Sequence, residues 1–169
     1  MDLSTFVPPK KSEVEVDPAR QREVFYHEVL ELQDAFTALE ECRMPTIASI
    51  QGACVGGAID MTAACDMRYC SENAFFKIAE VDIGIAADVG TLQRLPSLIP
   101  LAKLRELAFT GRKFDSAEAK SLGFVNEVFE SEDTLSILDR YIQEAEINLD
   151  KTVIQNIMKE TYQEACELI

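Results

Sequence analysis

The sequence predicts an α/β fold in which short strands alternate with helices. An apolar run at residues 46–50 is bounded by a proline and a glycine, which is typical of a buried strand. Gly56 and Gly57 then allow the backbone to turn sharply, and residues 58–65 have a helix-forming composition. Two further strand-like runs follow, at residues 67–70 and 74–78.

A long amphipathic helix is predicted before this central region. Asp17 is a suitable N-cap, Pro18 occupies the first helical position, and apolar side chains recur at helical spacing as far as Leu39. We expect this helix to end near Arg43 and to pack against the rest of the domain.

After the central region the sequence predicts two short helices and a strand. Gly111 should end the first helix, Asp115 should cap the second, and Gly123 should end it. The helices are placed at residues 101–109 and 116–122, the strand at 124–129, further helices at 131–150 and 152–168, and a loop or arm at 1–16.

Composition and charge narrow the classes of protein that fit. A chain of 169 residues can form one domain with a sizeable core, and 47% hydrophobic residues is ordinary for a globular protein. Thirty acidic and sixteen basic side chains give a net charge of −14, which argues against nucleic acid or an anionic membrane surface as a partner. No apolar run approaches the roughly 20 residues of a membrane span.

The cysteines and the single histidine exclude several kinds of site. The five cysteines form no Cys-x-x-Cys pair and are odd in number, which favours a reduced protein over a disulfide framework. His27 lies in a polar helical stretch and is expected at the surface. Its isolation argues against Ser-His-Asp catalysis, Cys-His catalysis and a histidine-ligated metal site. The carboxylates therefore remain as candidates for acid/base chemistry.

Three carboxylates lie in the central region: Asp60, Glu80 and Asp88. Asp60 falls in the first turn of a predicted helix, where the helix dipole favours a carboxylate whatever its function. Asp88 follows an uncharged segment, where partial desolvation would suit it to moving protons near neutral pH. Alternatively, Asp88 caps a helix at residues 89–95.

The glycine turn before Asp60 also has two interpretations. Backbone N–H groups at a helix start have no intrahelical partner, so those after Gly56 could hold an oxyanion. Alternatively, the glycines only allow the helix and the strand to pack closely.

Three stretches together resemble the enoyl-CoA hydratase/isomerase (crotonase) superfamily. They are GACVGGAIDMTAACDMRYC from residue 52, FFKIAEVDIGIAADVGTLQRLP from residue 75 and LAFTGRKFDSAEAKSLGFVNEVF from residue 107. The resemblance implies a crotonase-like (ClpP/crotonase) α/β fold of stacked strand-strand-helix units. It further implies that residues 1–169 form a single core domain that lacks the usual N-terminal strands and part of the C-terminal helical region of the family.

The resemblance extends to the acidic residues. The set Asp60, Glu80 and Asp88 is similar to that of superfamily members that convert 3,5-dienoyl-CoA to 2,4-dienoyl-CoA in fatty acid β-oxidation. It implies that Glu80 exchanges the proton at carbon 2, that Asp88 exchanges the proton at carbon 6, and that Asp60 orients or tunes the pair. Two alternatives stay open: an enoyl-CoA hydratase or simple enoyl-CoA isomerase, against which Asp88 argues, and a truncated, catalytically inactive relative.

The resemblance also implies a binding site for the thioester oxygen. The Gly57 N–H would be one donor, with Gly56 in the same turn. The sequence Met1-Asp2-Leu3 resembles the end of the loop that supplies the other donor in the family, which would place Asp2 at the substrate. The alanine that normally donates there would lie upstream of Met1.

The expected ligand is an acyl-CoA thioester, whose CoA is part of the substrate, with no other cofactor and no metal. No partner among nucleic acids or membranes is expected. Because the basic residues are scattered along the chain, no site for the CoA phosphates can be predicted. The resemblance implies a homo-oligomer, either a trimer or a hexamer, located in mitochondria or peroxisomes, or in the cytoplasm of a bacterium.

Overall fold

The structure is a computed structural model that describes residues 17–130 and residues 136, 137, 139, 140 and 143. The predicted arm at residues 1–16, including Asp2, lies outside the described residues, as does the predicted helix at 152–168. Of the predicted helix at 131–150, the five residues that are described are helical.

The described chain alternates strands and helices. The helices are α1 (Pro18–Glu40), α2 (Gly57–Ala63), α3 (Thr91–Arg94), α4 (Leu101–Thr110) and α5 (Ser116–Leu122). The strands are β1 (Ile47–Ile50), β2 (Ala53–Val55), β3 (Met67–Ser71), β4 (Phe75–Lys77), β5 (Phe114–Asp115) and β6 (Glu127–Phe129). Short 3₁₀ turns lie at Glu80–Ile83 and Leu95–Ser97.

Two three-stranded sheets are built from alternate strands of the chain. One has the order β1-β3-β6 with parallel pairs, and the other has the order β2-β4-β5 with β2 and β4 parallel and β5 antiparallel. Each successive strand pair therefore contributes one strand to each sheet, with α2 forming the connection between the first pair and the second. The predicted strand-strand-helix unit is confirmed.

The core is centred on three aromatic rings. Phe76 is fully buried, and its ring centroid lies 5.2 Å from that of Phe114 and 5.3 Å from that of Phe124. The pair with Phe124 is edge to face, an arrangement that adds to the free energy of apolar burial. This cluster joins β4, β5 and the segment before β6, and so fixes the strand that leads to the 3₁₀ turn at residue 80.

The predicted helix ends are largely confirmed. The Asp17 carboxylate accepts a hydrogen bond from the Ala19 N–H at 3.1 Å, and that of Asp115 accepts one from the Glu118 N–H at 2.8 Å. Gly111 ends α4 with φ +58°, a left-handed conformation that glycine adopts without strain. The largest differences are that α1 ends at residue 40 rather than near 43 and that β6 begins at residue 127 rather than 124, whereas the other boundaries differ by at most two residues.

Helix α1 lies on the surface of the described chain, and none of its residues is buried. The predicted apolar face is only partly covered, and Phe25 remains 64% exposed. His27 is exposed, as predicted. Within the described part of the chain, no helix combines the length and the apolar character needed to cross a membrane.

Candidate active site

Asp60 is held at the start of two helices at once. It lies in the first turn of α2, as predicted, and its side chain is fully buried. Its Oδ1 accepts a hydrogen bond of 2.6 Å from the backbone N–H of Thr91, the first residue of α3. Because the N-cap residue of α3 is Gly90, which has no side chain to offer, Asp60 supplies the cap from 31 positions away.

Burial raises the pKa of the Asp60 carboxyl above its ordinary value of 3.8. The hydrogen bonding with Thr91 and the positive charge of Arg94 oppose this rise, whereas the negative charge of Asp88 adds to it. Within the described residues, Asp60 Oδ2 is buried and has no hydrogen-bond partner. Such an atom is uncommon in a folded protein.

Glu80 opens the 3₁₀ turn that follows β4 and points back toward the glycine turn. A Cβ atom at Gly56 would lie 3.2 Å from Glu80 Oε1, so the absence of a side chain there leaves room for the carboxylate. Burial raises the pKa of Glu80 above its ordinary value of 4.5, and the negative charges of Asp60 and Asp88 raise it further. Its Oε2 is buried without a hydrogen-bond partner among the described residues.

The expected desolvation of Asp88 is not observed, because the residue is exposed in the described chain. Its neighbour Ala87 is buried, but Ile85 is 55% exposed and cannot shield the carboxylate from water. The alternative role as a helix cap is also wrong, since α3 begins at Thr91 and its N-cap is Gly90. The three carboxylates are nevertheless neighbours, because the charge of Asp88 acts on both of the others.

A long-range hydrogen bond fixes the backbone at Asp88. Gln33 of α1 donates from Nε2 to the Asp88 carbonyl oxygen at 2.7 Å. Because 55 residues separate the two, this bond ties α1 to the loop that carries the third carboxylate.

The glycine turn has the geometry of a helix start with a free donor. Gly56 is the N-cap of α2 with φ +56°, and its N–H donates to the Lys77 carbonyl oxygen at 3.0 Å. Gly57 is the first helical residue, so its N–H has no partner within the helix. The turn therefore joins β2 to β4 through Gly56 and leaves the Gly57 N–H as the candidate donor beside Glu80.

Glu80 is one of the residues that line an apolar groove of about 390 Å³. The 3₁₀ turn, the loop after it, α3 and α4 form its walls, and Glu80 and Arg105 are the charged residues among those that line it. Ile85 and Phe109 are 55% and 78% exposed at its edge. The groove has the apolar lining that an alkyl chain requires, and Glu80, whose pKa is raised, is part of its wall.

Sequence reasoning missed three residues that shape this site: Gln33, Thr91 and Arg94. The Thr91 side chain is fully buried, and its Oγ1 is a third buried oxygen without a partner in the described part of the chain. A threonine after a glycine at a predicted helix start was a usable signal for Thr91. No local signal exists for Gln33, whose partner is distant in sequence.

The described residues contain no cluster of three or more His, Cys, Asp or Glu side chains able to hold a metal ion. Cys54 and Cys70 are buried free thiols, and burial raises the pKa of each to about 11. Both therefore stay neutral at physiological pH and are poor nucleophiles.

This fold is that of the crotonase class of proteins, and comparison with known proteins identifies the family. The sequence pattern of the family described as enoyl-CoA hydratase/isomerase matches residues 16–167. The chain therefore belongs to the enoyl-CoA hydratase/isomerase family, as its sequence motifs predicted.

Individual relatives carry dienoyl-CoA isomerase names. The chain is 53% identical over 119 residues to the peroxisomal Delta(3,5)-Delta(2,4)-dienoyl-CoA isomerase of Arabidopsis thaliana, a match covering 70% of this chain and 43% of that one. It is 51% identical over 104 residues to the mitochondrial enzyme of that name from Rattus norvegicus, covering 61% of this chain and 32% of that one. The chain thus spans less than half the length of these relatives.

Solved structures share the fold. An enoyl-CoA hydratase from Bacillus anthracis matches with a TM-score of 0.67 and 28% identity, covering 77% of this chain and 49% of that one. A Thermobifida fusca protein of the enoyl-CoA hydratase class, in complex with CoA, matches with a TM-score of 0.74 and 24% identity, covering 88% and 57%. The second likeness shows the fold alone.

Proposed function

We propose that the chain contributes the catalytic core of an isomerase that converts 3,5-dienoyl-CoA to 2,4-dienoyl-CoA in fatty acid β-oxidation. The main support is the position of Glu80, a residue of raised pKa that lines an apolar groove and whose carboxylate lies beside the glycine turn. A groove with this lining suits an acyl chain, and the isomerase names of the relatives agree with the acidic set Asp60, Glu80 and Asp88.

The proposed reaction moves one proton out and one proton in. Glu80, as a carboxylate, removes a proton from carbon 2, and the electrons of the broken C–H bond form the 2,3 double bond. The electron pair of the 3,4 double bond forms the 4,5 double bond, and the pair of the 5,6 double bond forms a new C–H bond at carbon 6 with a proton that Asp88 delivers. Glu80 ends protonated and Asp88 ionised, so one proton must pass back between them, through water, before the next turnover.

Negative charge develops on the thioester oxygen during this reaction. The Gly57 N–H at the start of α2 is the proposed donor to that oxygen. Loss of one such donor in comparable sites costs about 3 kcal/mol of barrier. Asp60 does not exchange protons with the substrate in this scheme. Its negative charge raises the pKa of Glu80, which brings that pKa closer to the pH at which Glu80 must exchange protons.

A second candidate is hydration of an enoyl-CoA. The exposure of Asp88 favours it, because this carboxylate lies open to solvent while Glu80 is half-buried. The likeness to the Bacillus anthracis hydratase supports it as well. The two candidates predict different products from the same acyl-CoA site. We further propose a location in peroxisomes or mitochondria, or in the cytoplasm if the protein is bacterial, and a homo-oligomer; the names of the relatives support the first two locations.

The test is an ultraviolet assay of the purified protein with a 3,5-dienoyl-CoA, watching for the conjugated 2,4-dienoyl product. Glu80→Gln and Asp88→Asn should each abolish turnover. Asp82→Asn is the matched control, because Asp82 lies in the same 3₁₀ turn and pairs with Lys77 at 2.5 Å. Water addition to an enoyl-CoA without double-bond migration would favour the hydratase, and a folded protein with neither activity would refute catalysis by this chain.

A further inference from the structure

Arg94 folds back from α3 onto α1. Its Nε donates to Glu40 Oε2 at 2.9 Å, and its Nη2 donates to the Thr37 hydroxyl at 3.2 Å. The side chain is only 14% exposed, whereas that of Glu40 is 57% exposed. Two of the three guanidinium nitrogens are therefore used to join α3 to α1.

The third nitrogen lies against the backbone beside Asp60. Gly90 has φ +142°, and a Cβ atom built there would overlap with Arg94 Nη1. The same Cβ position lies 3.8 Å from Asp60 Oδ1. Gly90 thus leaves the space in which a positive charge sits next to the buried carboxylate.

The other charges around Asp60 are negative, so the position of the Arg94 guanidinium matters for the Asp60 carboxylate. Asp88, from the loop, and Glu80, from the 3₁₀ turn, are both acidic and repel an ionised Asp60. Cys54 of β2, which contacts α2 through Thr62, is a neutral thiol because burial raises its pKa to about 11. Among the described groups that act on Asp60, Arg94 supplies the favourable charge.

The geometry points to Arg94 as a positioning residue of this site, which favours the ionised form of Asp60 beside Glu80 and fastens α3 to α1. It acts through Asp60 and does not itself touch the groove. Its effect on turnover rests on the proposed function, but its effect on Asp60 does not.

An electrostatic role for Arg94 and a simple tether between helices predict different dependences of stability on pH. A tether between α1 and α3 would stabilise the fold equally at every pH at which Glu40 is ionised. A partner of Asp60 stabilises the fold only where Asp60 is ionised in the folded state, and since burial raises the pKa of Asp60, that contribution grows with pH.

The experiment is urea unfolding of the full chain at pH 5 and pH 8. We expect Arg94→Gln to lower the urea midpoint more at pH 8 than at pH 5, and the additional loss at pH 8 to disappear in an Asp60→Asn background. Arg94→Lys, which keeps the charge, should retain most of the stability at pH 8. Glu40→Gln is the control for the tether and should lower the midpoint equally at both pH values.

An equal loss at both pH values and in both backgrounds would overturn the charge role. If Arg94→Gln does not fold at pH 8, the highest pH at which it still folds replaces pH 8. The proposal requires the loss there to exceed the loss at pH 5 when Asp60 is present, and to equal it in the Asp60→Asn background. Since unfolding needs no substrate, this result is independent of whether the chain turns over a dienoyl-CoA.

Discussion

The clearest perturbation of the site is a pair of substitutions that differ by one hydrogen-bond acceptor. Asp60→Asn and Asp60→Ala both remove the charge, so they share the relief of burying a carboxylate. Only asparagine keeps an oxygen for the Thr91 N–H, which Asp60 now accepts at 2.6 Å. Thr91 is fully buried, so in the alanine variant this N–H has no water to bond to.

The expected difference in stability between the two variants follows from the Thr91 N–H. A buried donor left without an acceptor costs about 1–3 kcal/mol. We therefore expect Asp60→Ala to be less stable than Asp60→Asn by about 1–3 kcal/mol, and the cavity left by alanine acts in the same direction. For a chain of this length, each kcal/mol corresponds to roughly 2–4 °C in Tm.

Urea unfolding followed by far-ultraviolet circular dichroism measures the difference directly. The matched control is Asp82→Asn against Asp82→Ala, at a carboxylate whose side chain is 47% exposed, where the two variants should agree within about 0.5 kcal/mol. Equal stability of the two Asp60 variants would refute the argument that Asp60 caps α3.

Three further predictions concern pH, a glycine and the core. Burial raises the pKa of Asp60 and Glu80, so the folded state binds more protons than the unfolded state above about pH 4, and their contribution to stability falls as pH rises. Glu80→Gln should therefore gain stability relative to the wild type between pH 4.5 and pH 8 in urea titrations, and a constant difference would contradict this. Gly111→Ala should be more destabilising than Gly52→Ala in thermal melts, because both positions have positive φ but only at Gly111 would a Cβ come within 2.8 Å of a neighbouring side chain. Phe76→Ala should cost about 3–5 kcal/mol in urea unfolding and Phe76→Leu clearly less, since the ring is fully buried; similar losses would show that the aromatic cluster is not the centre of the core.

The features that the sequence predicted well are those decided within a few residues. Asp17 and Asp115 cap helices that begin directly after them, and Gly111 ends one through its own backbone conformation. Strands bounded by proline and glycine were found for the same reason. Such local rules need no knowledge of the tertiary structure.

The features that sequence reasoning missed depend on contacts between distant segments. The first-turn position of Asp60 was correct, but its partner Thr91 belongs to another helix. Asp88 was expected to be shielded because its neighbours in sequence are apolar, yet that loop lies at the surface. The anchoring of the Asp88 carbonyl by Gln33 spans 55 positions and leaves no local pattern.

The attachment of α1 affects how long Asp88 and Arg94 stay in place at the site. With no buried residue, α1 has little apolar area to hold it. The hydrogen bonds that Gln33 donates to Asp88 and that α1 accepts from Arg94 link it to the segment from Asp88 through α3. Elements with few buried contacts open locally with a smaller free energy than the core. Each brief detachment of α1 therefore also releases the backbone at Asp88 and frees Arg94. Asp88 and Arg94 are therefore expected to keep their places beside Asp60 only for as long as this surface helix stays attached.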